Sequence, residues 1–444
     1  MGSTESAGAP ASFSRGRILI ERLHNFAPRG PSLSIFFLFF AALLVTRRPD
    51  CILLPQFWAE EGQQFFVDAW HRSAWINLTS YSLGYFYLSI RLVSQIAVLV
   101  PLQYGPLVFV LSALVIQASV PTFVVSSRCA VWLGPFPIRL AAALLYCGMP
   151  DSFEEHCIAL TSRIHLVVLA ALIIVSAPPR AFPGKLLDIS TLILAGLSGP
   201  FVLLLAPVAI WWHWRVRSSA TRRNCLILAA TLCCAIFALL GSVGSRVGPP
   251  LGAGLFEFIR IVGGQLGMGF FLGEETYATI VKQPYFTAAA VVSLLILSIL
   301  LVLIVLRERW EVRALLIIGF GLLALGLASP IGATSGMTQW NVLWSIPGCG
   351  QRYFFVPMAM TLFALAAVAG RGQGRVWRGA AIVLLVLVAT MGARVDWRLP
   401  AFTDFQFKHY ANLYRSIPPG ASLTVPINPP GWEMKLKKLD RGRR

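Results

Sequence analysis

Two adjacent glutamates, Glu60 and Glu61, stand in the stretch of this chain best suited to chemistry, Phe57-Trp58-Ala59-Glu60-Glu61-Gly62. Paired carboxylates at a water–lipid boundary repel one another, which raises one pKa and lets that group take a proton from an attacking hydroxyl. Aromatic residues follow (Phe65, Phe66, Trp70, Trp75, Tyr81, Tyr85, Phe86 and Tyr87) and suit anchoring at headgroup depth. The same pair also reads as an ordinary acidic helix start.

A second acidic stretch, Met149-Pro150-Asp151-Ser152-Phe153-Glu154-Glu155-His156, runs on to Thr161-Ser162-Arg163-Ile164-His165. Asp151, Glu154, Glu155 and His156 there could position an acceptor. Hard oxygen ligands would also suit a divalent cation, magnesium or manganese, the one cofactor the residues suggest. No ligand spacing fixes a metal site, and histidines such as His156 and His165 are more often structural. A third cluster, Gly350-Gln351-Arg352-Tyr353, puts a guanidinium at the start of an apolar run. Arg352 there either binds a phosphate bidentately or snorkels at a helix end. Arg260 and Arg163 are further phosphate candidates. The glycine-rich segment 244–285, with Arg246, Glu257, Glu274 and Glu275, reads as a flap or a plain connector. Its glycines form no phosphate loop, since no strand precedes them and no Gly-Lys-Ser/Thr follows.

The elements that position these residues follow from composition. Of 444 residues 57% are hydrophobic and only 13% charged, and the mean hydropathy is +0.71. A soluble chain of this length needs far more charge to cover its surface. The net charge of +18 is spread between apolar runs, a membrane-topology pattern rather than a nucleic-acid footprint. The eight cysteines show no Cys-x-x-Cys spacing, and neither a zinc site nor a disulfide framework is expected. Basic residues from Arg15 to Arg29 precede the first apolar run. Without a small-residue cleavage site after that run, an uncleaved first helix is expected.

A bilayer-spanning helix takes about 20 apolar residues. Apolar runs predict an all-α polytopic membrane protein with about eleven spans: Pro31–Thr46, Tyr104–Ser126, Ile138–Met149, Cys157–Ala177, Leu186–Leu197, Phe201–Trp214, Asn224–Val243, Phe286–Leu306, Ala314–Ala328, Tyr353–Ala369 and Ala380–Ala393. Leu83–Val100, carrying Arg91 and Gln95, is set aside as an interfacial helix, and Phe256–Met268 is a candidate for another. On that count the loops carrying Arg128 and Arg139, Arg180 and Lys185, Arg215 to Arg223, Arg307 to Arg313 and Arg371 to Arg378 all face the cytoplasm. The acidic loops face out. The expected division is a cytoplasmic segment 1–30, a transmembrane domain 31–393, and a basic external tail 394–444 with short strands near its end. That tail acts either as a small cap or as a tether.

The order of these pieces resembles the GT-C superfamily of membrane glycosyltransferases. Those enzymes place an acidic site in a large external loop after the first helix, then interfacial helices and a second external loop. Trp58-Ala59-Glu60-Glu61-Gly62, Glu155-His156 through Thr161, and Gly196-Leu197-Ser198-Gly199-Pro200-Phe201 are similar to an uncharacterised bacterial branch of this type. In that branch an Asp stands at the position of Glu61, and Asn at those of Ala159 and Ser162. The resemblance implies Glu60 as base with Glu61 as co-candidate, Asp151, Glu154 and Glu155 in the second acidic loop, and Arg352 on the lipid phosphate. It implies transfer of a sugar from a polyprenyl-phosphate donor to a glycan, lipid or protein acceptor, outside the inner membrane. The alternatives are a transporter or flippase of lipid-linked saccharide, and an inactive scaffold. Transporters favour ionisable residues in mid-membrane and internal repeats, and neither is evident here.

Overall fold

A computed structural model describes residues 28, 30–242, 249–330 and 336–439. The basic stretch from Arg15 to Arg29, Arg246, and Arg441, Arg443 and Arg444 lie outside them.

The chain is a bundle of apolar helices. Seven helical stretches are long and apolar enough to cross a bilayer: Leu102–Val125, Ser219–Leu240, Leu255–Leu272, Phe286–Arg307, Trp310–Ala328, Gln351–Arg371 and Arg375–Ala393. An eighth counts if the pair Ser127–Leu133 and Phe136–Cys147, bent by 100°, is one span. Pro31–Arg47, Ser162–Val175 and Val202–Val216 are shorter apolar helices. Phe182–Leu197 carries Lys185 and Asp188 among its apolar residues. Ser162–Val175 and Gln351–Arg371 are buried along almost their whole length and form the centre. On Phe286–Arg307, by contrast, Val292, Leu295, Ile296, Ile299 and Val302 lie exposed. Aliphatic surface of that extent belongs against lipid tails rather than water.

The two ends of the bundle differ in charge. At one end Arg128 holds the buried Asp188 through both carboxylate oxygens, at 2.7 and 3.0 Å, and Arg223 joins at 3.3 Å. Arg309 and Arg371 reach the carbonyls of Val131 and Ala130 at 3.0 and 2.8 Å. Four far-apart arginines thus gather around the segment that follows Gly105–Val125. The opposite end collects Glu60, Glu61, Asp151, Glu154, Glu155, Glu274 and Asp396.

Leu255–Leu272 is longer and more apolar than the interfacial helix expected there, because a π-helical stretch, Val262–Gly269, continues Leu255–Ile261. It packs tightly: a Cβ on Gly263 or Gly267 would strike the Ala290 carbonyl or the Ser293 side chain of Phe286–Arg307. Past its far end the Glu274 amide donates to Asp396 Oδ2 at 2.7 Å. Before it, Gly241 packs on Tyr81 of the first loop. Both flanks of the segment therefore lie at the acidic end.

Of the stretch expected to be interfacial, Leu88–Ala97 is helical, shorter than the sequence suggested. Its Arg91 is buried and turned toward the first loop, donating to Asn77 Oδ1 at 2.8 Å and facing Asp68 at 3.5 Å. The tail forms a cap. Strands β1 (Ser422–Ile427) and β2 (Trp432–Lys437) pair antiparallel with Val425 opposite Met434. The alternation puts Val425, Ile427, Met434 and Leu436 inward, in one cluster with Phe57, Phe65, Phe66 and Phe407. The Asn428 amide donates to the Phe57 carbonyl at 3.1 Å, and the Ala59 amide donates back to the Asn428 carbonyl. A Cβ on Gly62 would sit 3.0 Å from both Ile427 Cδ1 and Phe57 Cβ, so glycine there lets the hairpin close onto the first loop.

Candidate functional site

The two glutamates of the first loop have separate environments. Ala59, at φ +43, is in a left-handed conformation that a non-glycine residue adopts only when its surroundings hold it. That turn separates Trp58 from the helical stretch beginning at Glu61. The Glu61 carboxylate is 2% exposed. Its Oε1 accepts from the Leu160 amide at 2.9 Å, and its Oε2 from the Trp58 amide at 3.2 Å. Glu61 therefore staples the first acidic loop to the second. Glu60 is half-buried and makes no ion pair or side-chain hydrogen bond among the described residues.

Burial pushes the Glu61 carboxyl up to about 7, against the backbone amides that pull it down, and the neighbouring Glu60 charge contributes least. The expectation of a raised carboxyl is met by desolvation rather than by mutual repulsion. Unfolded, the group titrates near 4.5, so between that pH and about 7 the native state binds more protons. Stability contributed by Glu61 is then present at low pH and lost as pH rises through about 7. Thermal unfolding in detergent at pH 5 and pH 8 should show a larger fall for the wild type than for Glu61→Gln. Equal falls would remove Glu61 as the cause.

The second loop rests on the start of Gln351–Arg371. The Gln351 amide nitrogen donates to Asp151 Oδ1 at 2.5 Å and to Glu274 Oε2 at 2.9 Å, while its oxygen accepts from the Glu154 amide at 2.9 Å. Asp396 caps the same knot, accepting from the amides of Asp151 and Glu274 at 2.8 and 2.7 Å. Burial, and next the Glu274 charge, hold the Asp151 carboxyl well above the usual range; burial also raises Glu274. Asp151 itself has φ +49. Glu154 faces the half-buried Arg352 at 3.5 Å, and the Thr161 hydroxyl donates to the Glu154 carbonyl at 2.5 Å. Contacts thus lead from Glu61 through Leu160 and Thr161 to Glu154 and Arg352.

Glu155 is buried, with neither carboxylate oxygen partnered among the described residues. Burial, then the Glu154 charge, raises it. Its carbonyl accepts from Gln117 and meets His165 Nε2 at 3.0 Å, and His165 Nδ1 lies 2.6 Å from the Tyr146 hydroxyl. His156 is buried, its Nε2 3.0 Å from the Leu44 carbonyl. Burial and the charges of Arg47 and Arg48 hold it well below its usual pKa, so the ring is neutral and serves as a peg between the loop and Pro31–Arg47.

Of the other phosphate candidates, Arg163 stacks on Tyr87 at 4.7 Å and donates to the Ser198 carbonyl at 3.4 Å. Arg260 stacks on Trp344 at 4.6 Å and donates to Thr287 at 3.0 Å. The three arginines sit in three separate neighbourhoods, and only Arg352 is shown against the second acidic loop. Among the described residues no three His, Cys, Asp or Glu side chains converge as a metal group would. The knot of Asp151, Glu274 and Asp396 is held by the Gln351 amide and two backbone N–H groups.

Two buried arginines escaped the sequence reading. Arg47 donates to the carbonyls of Cys147, Met149, Asp396 and Trp397 and to Ser152 Oγ, between 3.0 and 3.3 Å. Arg48 is sandwiched between Phe153 and Phe402 at 4.2 and 4.3 Å and donates to the His156 carbonyl at 3.0 Å. Their signal was an Arg pair at the wrong end of the first helix for the charge pattern. Gln351 and Asp396 had none. An open groove of about 620 Å³ adjoins the first loop, lined among others by Gln64, Asp68, Arg72, Trp75, Tyr81 and Arg91.

No family model, curated protein or solved structure matches this chain.

Proposed function

We propose that the chain is a GT-C-like membrane glycosyltransferase that moves a hexose from a polyprenyl-phosphate donor to an acceptor hydroxyl on the outer face of the inner membrane. The observation that carries this reading is the joining of three far-apart stretches at one end of the bundle. Glu61 is bonded to Leu160, and Glu154 faces Arg352.

The sidedness comes from charge. Arg128, Arg223, Arg309 and Arg371 cluster at the other end, which the positive-inside rule assigns to the cytoplasm. In this reading the chain crosses eleven times. The bent pair ending in Phe136–Cys147, the shorter apolar helices and Phe182–Leu197 count as spans, and Leu255–Leu272 enters and leaves on the same side. The N-terminus then lies inside and the C-terminal cap outside. Contacts alternate accordingly, with Arg47 ending the first span beside the acidic loops and Arg128 following the next at the basic end.

The chemistry divides among the residues. Glu60, with no side-chain partner among the described residues, takes the proton of the acceptor hydroxyl as that oxygen attacks the anomeric carbon. The anomeric C–O bond to phosphate breaks, and the negative charge left on polyprenyl phosphate is stabilised by Arg352. Glu61 keeps the base in place through the Leu160 amide. The groove beside Gln64 and Trp75 offers an aromatic face and charged groups to an acceptor sugar.

The test uses the purified protein in liposomes with a radiolabelled polyprenyl-phosphate hexose. Arg352→Ala should lower kcat/KM for the donor roughly 10- to 100-fold, the loss of a charge-assisted phosphate bond. Glu154→Gln, which removes the carboxylate charge facing the arginine, should retain transfer. Wild-type kcat/KM in Arg352→Ala would remove the phosphate role, and donor binding without turnover in the wild type would mark a scaffold instead.

A further inference from the structure

We infer that Cys51 and Cys157 are joined by a disulfide, which ties the end of the first apolar helix covalently to the second acidic loop. Their sulfurs lie 3.3 Å apart, and both residues are buried. A disulfide is about 2.05 Å long, so the sulfurs need approach by only about 1.3 Å. Among the described residues no other cysteine pair is in sulfur contact.

The backbone around the pair is already committed to this meeting. Cys51 lies in the short helix Asp50–Leu53, directly after the two buried arginines. Cys157 has φ +60, a left-handed conformation that a non-glycine residue holds only under outside constraint. The residue before it is pinned as well: the His156 carbonyl accepts from Arg48, and the His156 ring meets the Leu44 carbonyl. Two strands of chain more than a hundred positions apart are thus held with their thiols face to face.

The compartment allows the bond. The pair sits at the acidic end, away from the arginine cluster, and so in the space where disulfides persist. The inference shares this sidedness with the glycosyltransferase reading but none of its chemistry. In the step itself, a donor protein disulfide of the oxidising compartment is reduced to two thiols. The Cys51 and Cys157 thiols are oxidised to one S–S bond, and their two protons pass to the donor's sulfurs. Because the folded pair is buried, the exchange precedes docking of the second loop.

The full chain is purified from the membrane of a host with an oxidising periplasm, denatured in N-ethylmaleimide, and digested without reductant. The expected product is a peptide pair joining Cys51 to Cys157, two hydrogens lighter than the free peptides and split by dithiothreitol. Recovery of both cysteines as maleimide adducts would overturn the inference. As a second readout, dithiothreitol should lower the melting temperature of the wild type by about 5 °C and leave Cys51→Ser/Cys157→Ser unmoved. An equal response from the two proteins would count against the tie. A linked peptide in a protein that transfers no sugar would sink the enzyme reading and leave this one standing.

Discussion

Glu60→Gln should lower sugar transfer by about 10²- to 10⁴-fold, the range for losing a general base, while the protein inserts and folds as before. The separation of the two effects follows from the structure. Glu60 makes no side-chain hydrogen bond or ion pair among the described residues and is only half-buried. Its replacement by an isosteric amide removes no native bond, and stability should move by no more than about 0.5 kcal/mol. Its neighbour behaves differently. The Glu61 carboxylate accepts two backbone amides. An amide side chain can accept at only one end, so Glu61→Gln leaves a buried N–H without a partner and costs about 1–3 kcal/mol. Transfer rates and unfolding midpoints measured on both variants separate the roles. If Glu60→Gln turned over at the wild-type rate, Glu60 would not be the base.

Arg47→Ala is the change expected to damage the fold most. Five hydrogen bonds radiate from one buried guanidinium to Cys147, Met149, Ser152, Asp396 and Trp397. They tie the first helix to the end of Phe136–Cys147, to the second acidic loop, and to the last turn before the cap. Deleting one member of such a buried charged network costs about 3–5 kcal/mol, because the carbonyls it served remain buried. That is comparable to a large share of the stability of a typical domain. Arg47→Lys should recover only part, since an ammonium cannot reproduce the planar fork. The measurement is the yield of monodisperse protein in mild detergent and its unfolding midpoint. A wild-type midpoint for Arg47→Ala would show that the surrounding carbonyls find other donors.

The helices were readable from hydropathy because lipid demands long apolar runs with internally bonded backbones. Phe286–Leu306 and Ala380–Ala393 were found within a few residues for that reason. Cys157–Ala177 was not, since its first four residues, Cys157 to Leu160, are apolar yet belong to the irregular loop that meets Glu61. Burial inside protein and burial in lipid leave the same mark on composition. The acidic loops were legible as clusters of charge at the ends of apolar runs, and Arg352 as a cation beside them. Gln351 was invisible because one amide bridging two acids and a backbone N–H is a fact of three dimensions. Arg47 and Arg48 read as a simple stop to the first helix, although an arginine pair at that end runs against the basic-inside pattern of the helix connections. The strands near the tail were foreseen from Pro and Gly turns, but the partner of the hairpin was not. Nothing in the residues from Ser422 to Lys437 names Phe57 and Ala59, hundreds of positions earlier, as the backbone they bond.

That last contact sets an order of events during synthesis. The loop bearing Glu60 leaves the ribosome well before the segment that clasps its backbone. A nascent chain halted before Ser422 would hold the described helices and a first loop without the hairpin that clasps it. The hairpin therefore reaches the first loop only after every described helix has been made.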